Sequence, residues 1–112
     1  MLSRKHRLSK QKDFDRVYKS GKQCAAPHLI LKGVRNDADF SRFAVIISKK
    51  IAKKAVDRNR VKRQINEIIR QRLTQIKTGF DLVIIVKKDV LDQSSDVLAK
   101  ELGGLLGKAG LK

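Results

Sequence analysis

The sequence predicts an α+β fold: a small central sheet with three helices in the order αββαβα or, with one further strand, αβββαβα. Three patterns carry that prediction. Val61, Ile65, Ile68, Ile69, Leu73 and Ile76 recur at helical spacing, filling an arc of roughly 140° as a core-facing stripe does. Residues 82–86 are an unbroken apolar run between Asp81 and Lys87, the signature of a central strand buried on both faces. Phe43, Val45 and Ile47 alternate with Ala44, Ile46 and Ser48, as in a strand with two distinct faces.

The elements follow in order. Residues 1–12 are polar and basic, which predicts a mobile arm. Residues 13–19 predict a short helix with Phe14, Val17 and Tyr18 on one face and Gly21 just beyond its end. After Pro27, residues 28–35 read as a strand. A polar turn at 36–39 then leads to a second strand over 40–48, so the two are expected to pair as a hairpin. Residues 49–56 form a loop. Asp57 is the expected N-cap of the long helix, which should end before Gly79. A last helix starts at Ser94 or Ser95 and carries Val97, Leu98, Leu102, Leu105 and Leu106, with Gly103, Gly104 and Gly107 weakening its second half. No repeat and no linker interrupts the chain, so residues 1–112 are expected to form a single domain.

Composition narrows the function. A 112-residue chain with 41% hydrophobic residues can bury one modest core, but its formal net charge of +16 repels itself and calls for a polyanionic partner. The absence of Trp, with one Tyr and four Phe, excludes broad stacking on many bases as the main binding mode. Cys24 is the sole cysteine, which excludes an intramolecular disulfide and a Cys-based zinc site and fits a reducing, cytoplasmic setting. The basic start lacks the apolar core of a secretory signal, and no run approaches a membrane span, so no membrane role is expected.

The charge is concentrated. Residues 49–63 hold eight basic side chains and one acid, running directly into the long helix. On that helix Asn59, Arg63, Asn66 and Arg70 lie opposite the apolar stripe, with Arg60 and Glu67 one row over. Guanidinium and amide forks can grip phosphate oxygens in pairs. Lys49, Lys50, Lys53 and Lys54 feed the helix start, where free N–H groups near Arg58 and Asn59 add positive potential. Together they predict a phosphate-binding corner. Helical i, i+4 aromatics ordinarily belong to a core, and the residues alone favour that role for Phe14 and Tyr18.

No catalytic set is apparent. His6 and His28 are the only histidines, one in the arm and one opening a strand, and no His or Cys spacing suggests zinc. Asp37, Asp39, Asp89 and Asp92 are scattered through turns, whereas two-metal chemistry needs convergent carboxylates. The protein alone is expected not to cleave RNA. An architectural ribosomal RNA-binding protein explains the charge and size equally well, and a DNA-binding protein less well, because no helix-turn-helix pattern is present.

The stretch Ser48-Lys49-Lys50, Ala55-Val56 and Arg58-Asn59-Arg60-Val61-Lys62-Arg63 resembles the protein subunit of bacterial ribonuclease P. So do residues 13–21 before it and 79–85 after it. The resemblance implies a left-handed βαβ crossover and a non-catalytic cofactor role. The partner RNA would remove the 5′ leader from precursor tRNA using magnesium, with no metal held by the protein. It implies two partners, ribonuclease P RNA and precursor tRNA, with no protein partner required. The protein would raise substrate affinity and lower the metal requirement. Arg58, Asn59, Arg60, Lys62 and Arg63 would dock on the catalytic RNA, joined on the charge argument by Lys53, Lys54 and Arg70. Phe14, Tyr18, Lys32, Lys49 and Lys50 would line a cleft for the single-stranded leader. Three positions depart from the family pattern: Asn66 and Gln64 in the long helix, and Lys32 where an aromatic is usual.

Overall fold

The computed structural model describes residues 4–111. The order is α1 (Gln11–Ser20), β1 (Lys22–Ala25), β2 (Leu29–Arg35), β3 (Arg42–Ile46), α2 (Ala55–Arg72), β4 (Phe80–Val86) and α3 (Ser95–Lys108). This is the αβββαβα variant of the expected order. The strands form one mixed sheet ordered β1-β2-β4-β3, antiparallel except for the parallel β3–β4 pair. The β3–α2–β4 segment is therefore a crossover unit.

The expected hairpin between the second and third strands does not form, because β4 lies between them. The physical reason is its two apolar faces: Leu82, Val83, Ile84 and Val86 are all buried, which only a central strand can achieve. The 36–41 segment instead wraps the start of β4. Asn36 N–H donates to the Gly79 carbonyl at 2.8 Å, and the buried Ser41 hydroxyl donates to the Lys77 carbonyl at 2.7 Å. Gly79, at φ 87°, supplies the left-handed turn into β4.

Strand alternation sorts the sheet into two faces. Leu29, Leu31, Phe43, Val45, Leu82, Ile84 and Val86 pack with Val61, Ile65, Ile68, Ile69, Leu98, Leu102, Leu105 and Leu106 of α2 and α3. On the other face α1 lays Val17 against Val83, with Leu8 beside them. The apolar periods therefore placed both helices and both sheet faces.

Helix ends were less legible. Asp57 is not the N-cap of α2. Lys54 occupies that position, without a side-chain bond to the first turn, and Asp57 lies within that turn. Ser94 does cap α3, its hydroxyl accepting from Val97 N–H. Val97, expected on the buried stripe, is 39% exposed. The arm predicted as mobile is tied down from residue 6 onward. His6 Nδ1–H donates to the Ser41 carbonyl at 2.8 Å, and Leu8 N–H to the Phe43 carbonyl at 2.8 Å, with Leu8 buried. Residues 1–3 of that arm lie outside the described residues.

Candidate nucleic-acid interface

The face beneath α1 is built of three cross-strand rows. Register pairs Val34 with Asp81 and Arg42, Lys32 with Val83 and Ala44, and Ile30 with Ile85 and Ile46. Helix α1 packs over this face, and the central residues of the first two rows, Asp81 and Val83, are buried. The third is half-buried, so Ile30, Ile85 and Ile46 form an apolar floor that stays in reach of solvent. Tyr18 is 45% exposed, with Nζ of Lys32, from the neighbouring row, 5.3 Å from its ring centroid. Phe14 instead packs against the Leu8–Val17–Val83 cluster. The two aromatics thus divide: one leans into the core and one is exposed beside Lys32.

An ion network ties α1 to the sheet. Asp81 is fully buried and accepts from Arg42 Nε at 2.8 Å, Arg42 Nη2 at 2.8 Å, Arg16 Nη2 at 2.7 Å and Asn36 Nδ2 at 2.9 Å. Asp13, also buried, lies 3.2 Å from Arg42 Nη1 and 3.5 Å from Arg16 Nη2. Burial alone would push the Asp81 carboxyl up, but the bonds from Arg42, Asn36 and Arg16 outweigh it and hold it below the usual carboxylate range. Its hydrogen bond to Asp81 keeps Arg42 above its ordinary value despite desolvation. Composition alone gave no sign of this network. The available signal was an acid at the start of a strand buried on both faces, which requires a cationic partner.

At the Ile46 end of β3 the chain turns into the lysine-rich loop. Ser48 O accepts from Ile51 N–H at 3.1 Å and Ala52 N–H at 3.2 Å, and Ala52 is buried, so the loop is a defined turn. Lys49, Lys50, Lys53 and Lys54 project from it, all exposed. Arg58 braces the loop from within: its Nη1 donates to the carbonyls of Ala52 at 2.9 Å and Lys53 at 2.8 Å. One of the predicted RNA-facing cations is therefore engaged in positioning its neighbours.

The remaining α2 cations differ in how free they are. Among the described residues, no hydrogen bond or ion pair holds Arg60, Lys62 or Arg63. Arg63 borders two concavities, one of about 550 Å³ with Val56, Asn59, Lys62 and Asn66, and one of about 540 Å³ with Arg60, Gln64, Leu91, Gln93 and Ser95. Gln64 Nε2 donates to Ser95 Oγ at 2.7 Å, tying α2 to the start of α3. Arg70 is paired with Glu67, its Nε at 2.9 Å from the carboxylate. That hydrogen bond raises the Arg70 pKa and lowers that of Glu67.

The two histidines serve the fold. His6 holds the arm, and His28 donates through both its backbone N–H and Nδ1–H to Glu101, at 2.8 Å and 2.6 Å. Among the described residues no group of three or more His, Cys, Asp or Glu side chains is placed to hold a metal, and the paired acids Asp13 and Asp81 are already gripped by guanidinium groups. No helix among those residues is long and apolar enough to cross a membrane.

The profile of the family described as Ribonuclease P matches residues 2–110. The chain belongs to the ribonuclease P protein family. It is 39% identical over 110 residues to the ribonuclease P protein component of Microcystis aeruginosa, covering 95% of this chain and 92% of that one. It is 40% identical over 106 residues to that of Synechocystis, covering 94% and 86%. Among solved structures, the Staphylococcus aureus RNase P protein superposes with a TM-score of 0.86 at 28% identity, covering 95% of this chain and 96% of that chain. The Thermotoga maritima protein gives 0.83 at 29%, covering 91% and 96%. The α+β fold is thus the ribonuclease P protein fold, and the chain's role is that of the protein subunit of the ribonucleoprotein that processes the 5′ ends of precursor tRNA. The architectural ribosomal reading falls with that membership.

Proposed function

We propose that the subunit docks on the catalytic RNA through one end of the molecule and holds the precursor's single-stranded leader at the same end. The observation that carries this is topological. The open Ile30–Ile85–Ile46 row lies at the end of β3 from which the 47–54 loop departs, and that loop feeds the cationic start of α2. Lys53, Lys54, Asn59, Arg60, Lys62 and Arg63 contact phosphates of the RNA, Arg58 shapes the loop that presents the lysines, and Arg70 contributes through a charge shared with Glu67. Tyr18 and the isoleucine floor receive leader bases, Phe14 supports the helix that carries Tyr18, and Lys32, Lys49 and Lys50 face leader phosphates.

In this reading the protein supplies binding and charge neutralisation and the RNA supplies catalysis, in the cytoplasm and without another protein. Magnesium bound by the RNA supplies the hydrolytic chemistry. The protein's cations lessen repulsion between the two RNAs, so less magnesium is needed when the subunit is present.

The test is a leader-length series on the reconstituted holoenzyme. With the wild-type subunit, precursors with long leaders should bind more tightly than those with short ones. Tyr18→Ala should remove about tenfold of that gain, within the ~1–3 kcal/mol typical of one stacked base. Mature tRNA, which has no leader, should bind equally well with either subunit. An equal loss for leaderless RNA would place Tyr18 outside the leader site.

A further inference from the structure

At the other end of the strands, on the sheet face that carries α3, lies a cavity of about 640 Å³. Its size falls within the ~300–1,000 Å³ of small-ligand pockets. Leu31, Phe80 and Leu111 give it an apolar floor, and Cys24 borders it half-buried. Gly33 contributes no side chain, and a Cβ there would come 2.4 Å from Leu82 Cδ2, so β2 passes under the Leu82 side chain only because this position is glycine. The rim carries Lys22, Arg35 and Lys108, and among the described residues no acidic side chain lines the cavity. Lys22 and Lys108 have no hydrogen bond or ion pair among the described residues. The Arg35 guanidinium sits 5.6 Å from the Phe80 ring centroid, a planar cation above an aromatic floor.

This chemistry selects a ligand with a flat, largely apolar body and an attached anion. We infer that the cavity binds one unpaired RNA nucleotide, with its base against the Leu31–Phe80 floor and Arg35, and its phosphate on the cationic rim. The site is separate from both proposed contacts. It is at the opposite end of the strands from the 49–54 loop, and across the sheet from Tyr18 and Lys32. The subunit would thus hold RNA at a third point. Adding a nucleotide-sized pocket to the electrostatic ridge confers a preference for unpaired over duplex RNA there, because a base within a helix cannot present its face.

Cys24, the only thiol, reports on occupancy. Adenosine 5′-monophosphate at about nine times its Kd should slow alkylation of Cys24 about tenfold, since only the free fraction reacts. It should also move the amide resonances of Gly33 and Phe80, a readout that does not depend on thiol reactivity. Ribose 5-phosphate, which has charge but no base, and dodecanoate, an apolar anion without a base, should do neither at the same concentration. Arg35→Ala combined with Lys108→Ala should abolish both signals. The inference is overturned if ribose 5-phosphate or dodecanoate matches the nucleotide, if the double variant retains the signals, or if the Gly33 and Phe80 resonances stay still while those of Ile30 and Ile85 move.

Discussion

A carboxylate with no exposure is tolerated only where its oxygens are gripped, and Asp81 accepts from two arginines and an asparagine. Removing its charge strands Arg42 beneath α1, with Asp13 as its remaining acidic neighbour. Asp81→Asn should therefore cost about 3 kcal/mol, measured by urea unfolding near neutral pH, a large share of the ~5–15 kcal/mol of a small domain. The pH dependence has a definite sign. Because the folded-state pKa of Asp81 lies below that of the unfolded chain, its contribution is complete above about pH 3.9 and is lost as pH falls through the folded value. Asp81→Asn should accordingly flatten the acid limb of the stability curve. An unchanged acid limb would show that the network does not anchor α1. This residue also marks a boundary of sequence reading. Its partners are 65, 45 and 39 positions away, and no local pattern joins them.

At the scale of elements, α3 shows why composition and context must be read together. Its glycines were expected to weaken the second half, yet the helix continues to Lys108 because Leu102, Leu105 and Leu106 are buried against the sheet. The glycines are not equivalent. A methyl group at Gly104 meets nothing within 4 Å, whereas one at Gly103 comes 3.0 Å from Arg72 Nη1. Gly104→Ala should stabilise the protein by about 0.5–1 kcal/mol through helix propensity alone, and Gly103→Ala by less, since the Arg72 side chain must shift. Denaturation midpoints of the two variants test the difference. Long elements were legible because a buried stripe or a two-sided apolar run leaves a period in the chain. Strand pairing was not legible. The polar 36–39 stretch has the composition of a hairpin turn, and only the competition of β4 for the central position converts it into a crossing segment. The short, exposed β1 has little apolar period to detect.

For the whole molecule, the net charge of +16 is too diffuse a quantity to locate a binding face, because every cation contributes to it equally. What distinguishes cations is whether the fold already uses them. Arg16 and Arg42 are committed to buried acids, Arg58 to loop carbonyls and Arg70 to Glu67, while Arg60, Lys62 and Arg63 have no partner among the described residues and stand on a helix fixed by Val61, Ile65, Ile68 and Ile69. The sequence showed this concentration of charge on α2, but it could not show which members were already spent. Counterion release makes the distinction measurable. Each phosphate neutralised contributes about 0.7–0.9 to the slope of log affinity against log salt. Arg60→Ala and Arg63→Ala should each reduce the slope for binding the catalytic RNA by about that amount, and weaken binding in low salt. Arg70→Ala should reduce the slope by less, because Arg70 is already neutralised by Glu67 and releases few phosphate counterions of its own. Equal reductions in all three variants would mean that the RNA senses total charge alone, and that the packing of α2 plays no part in selecting which cations it meets.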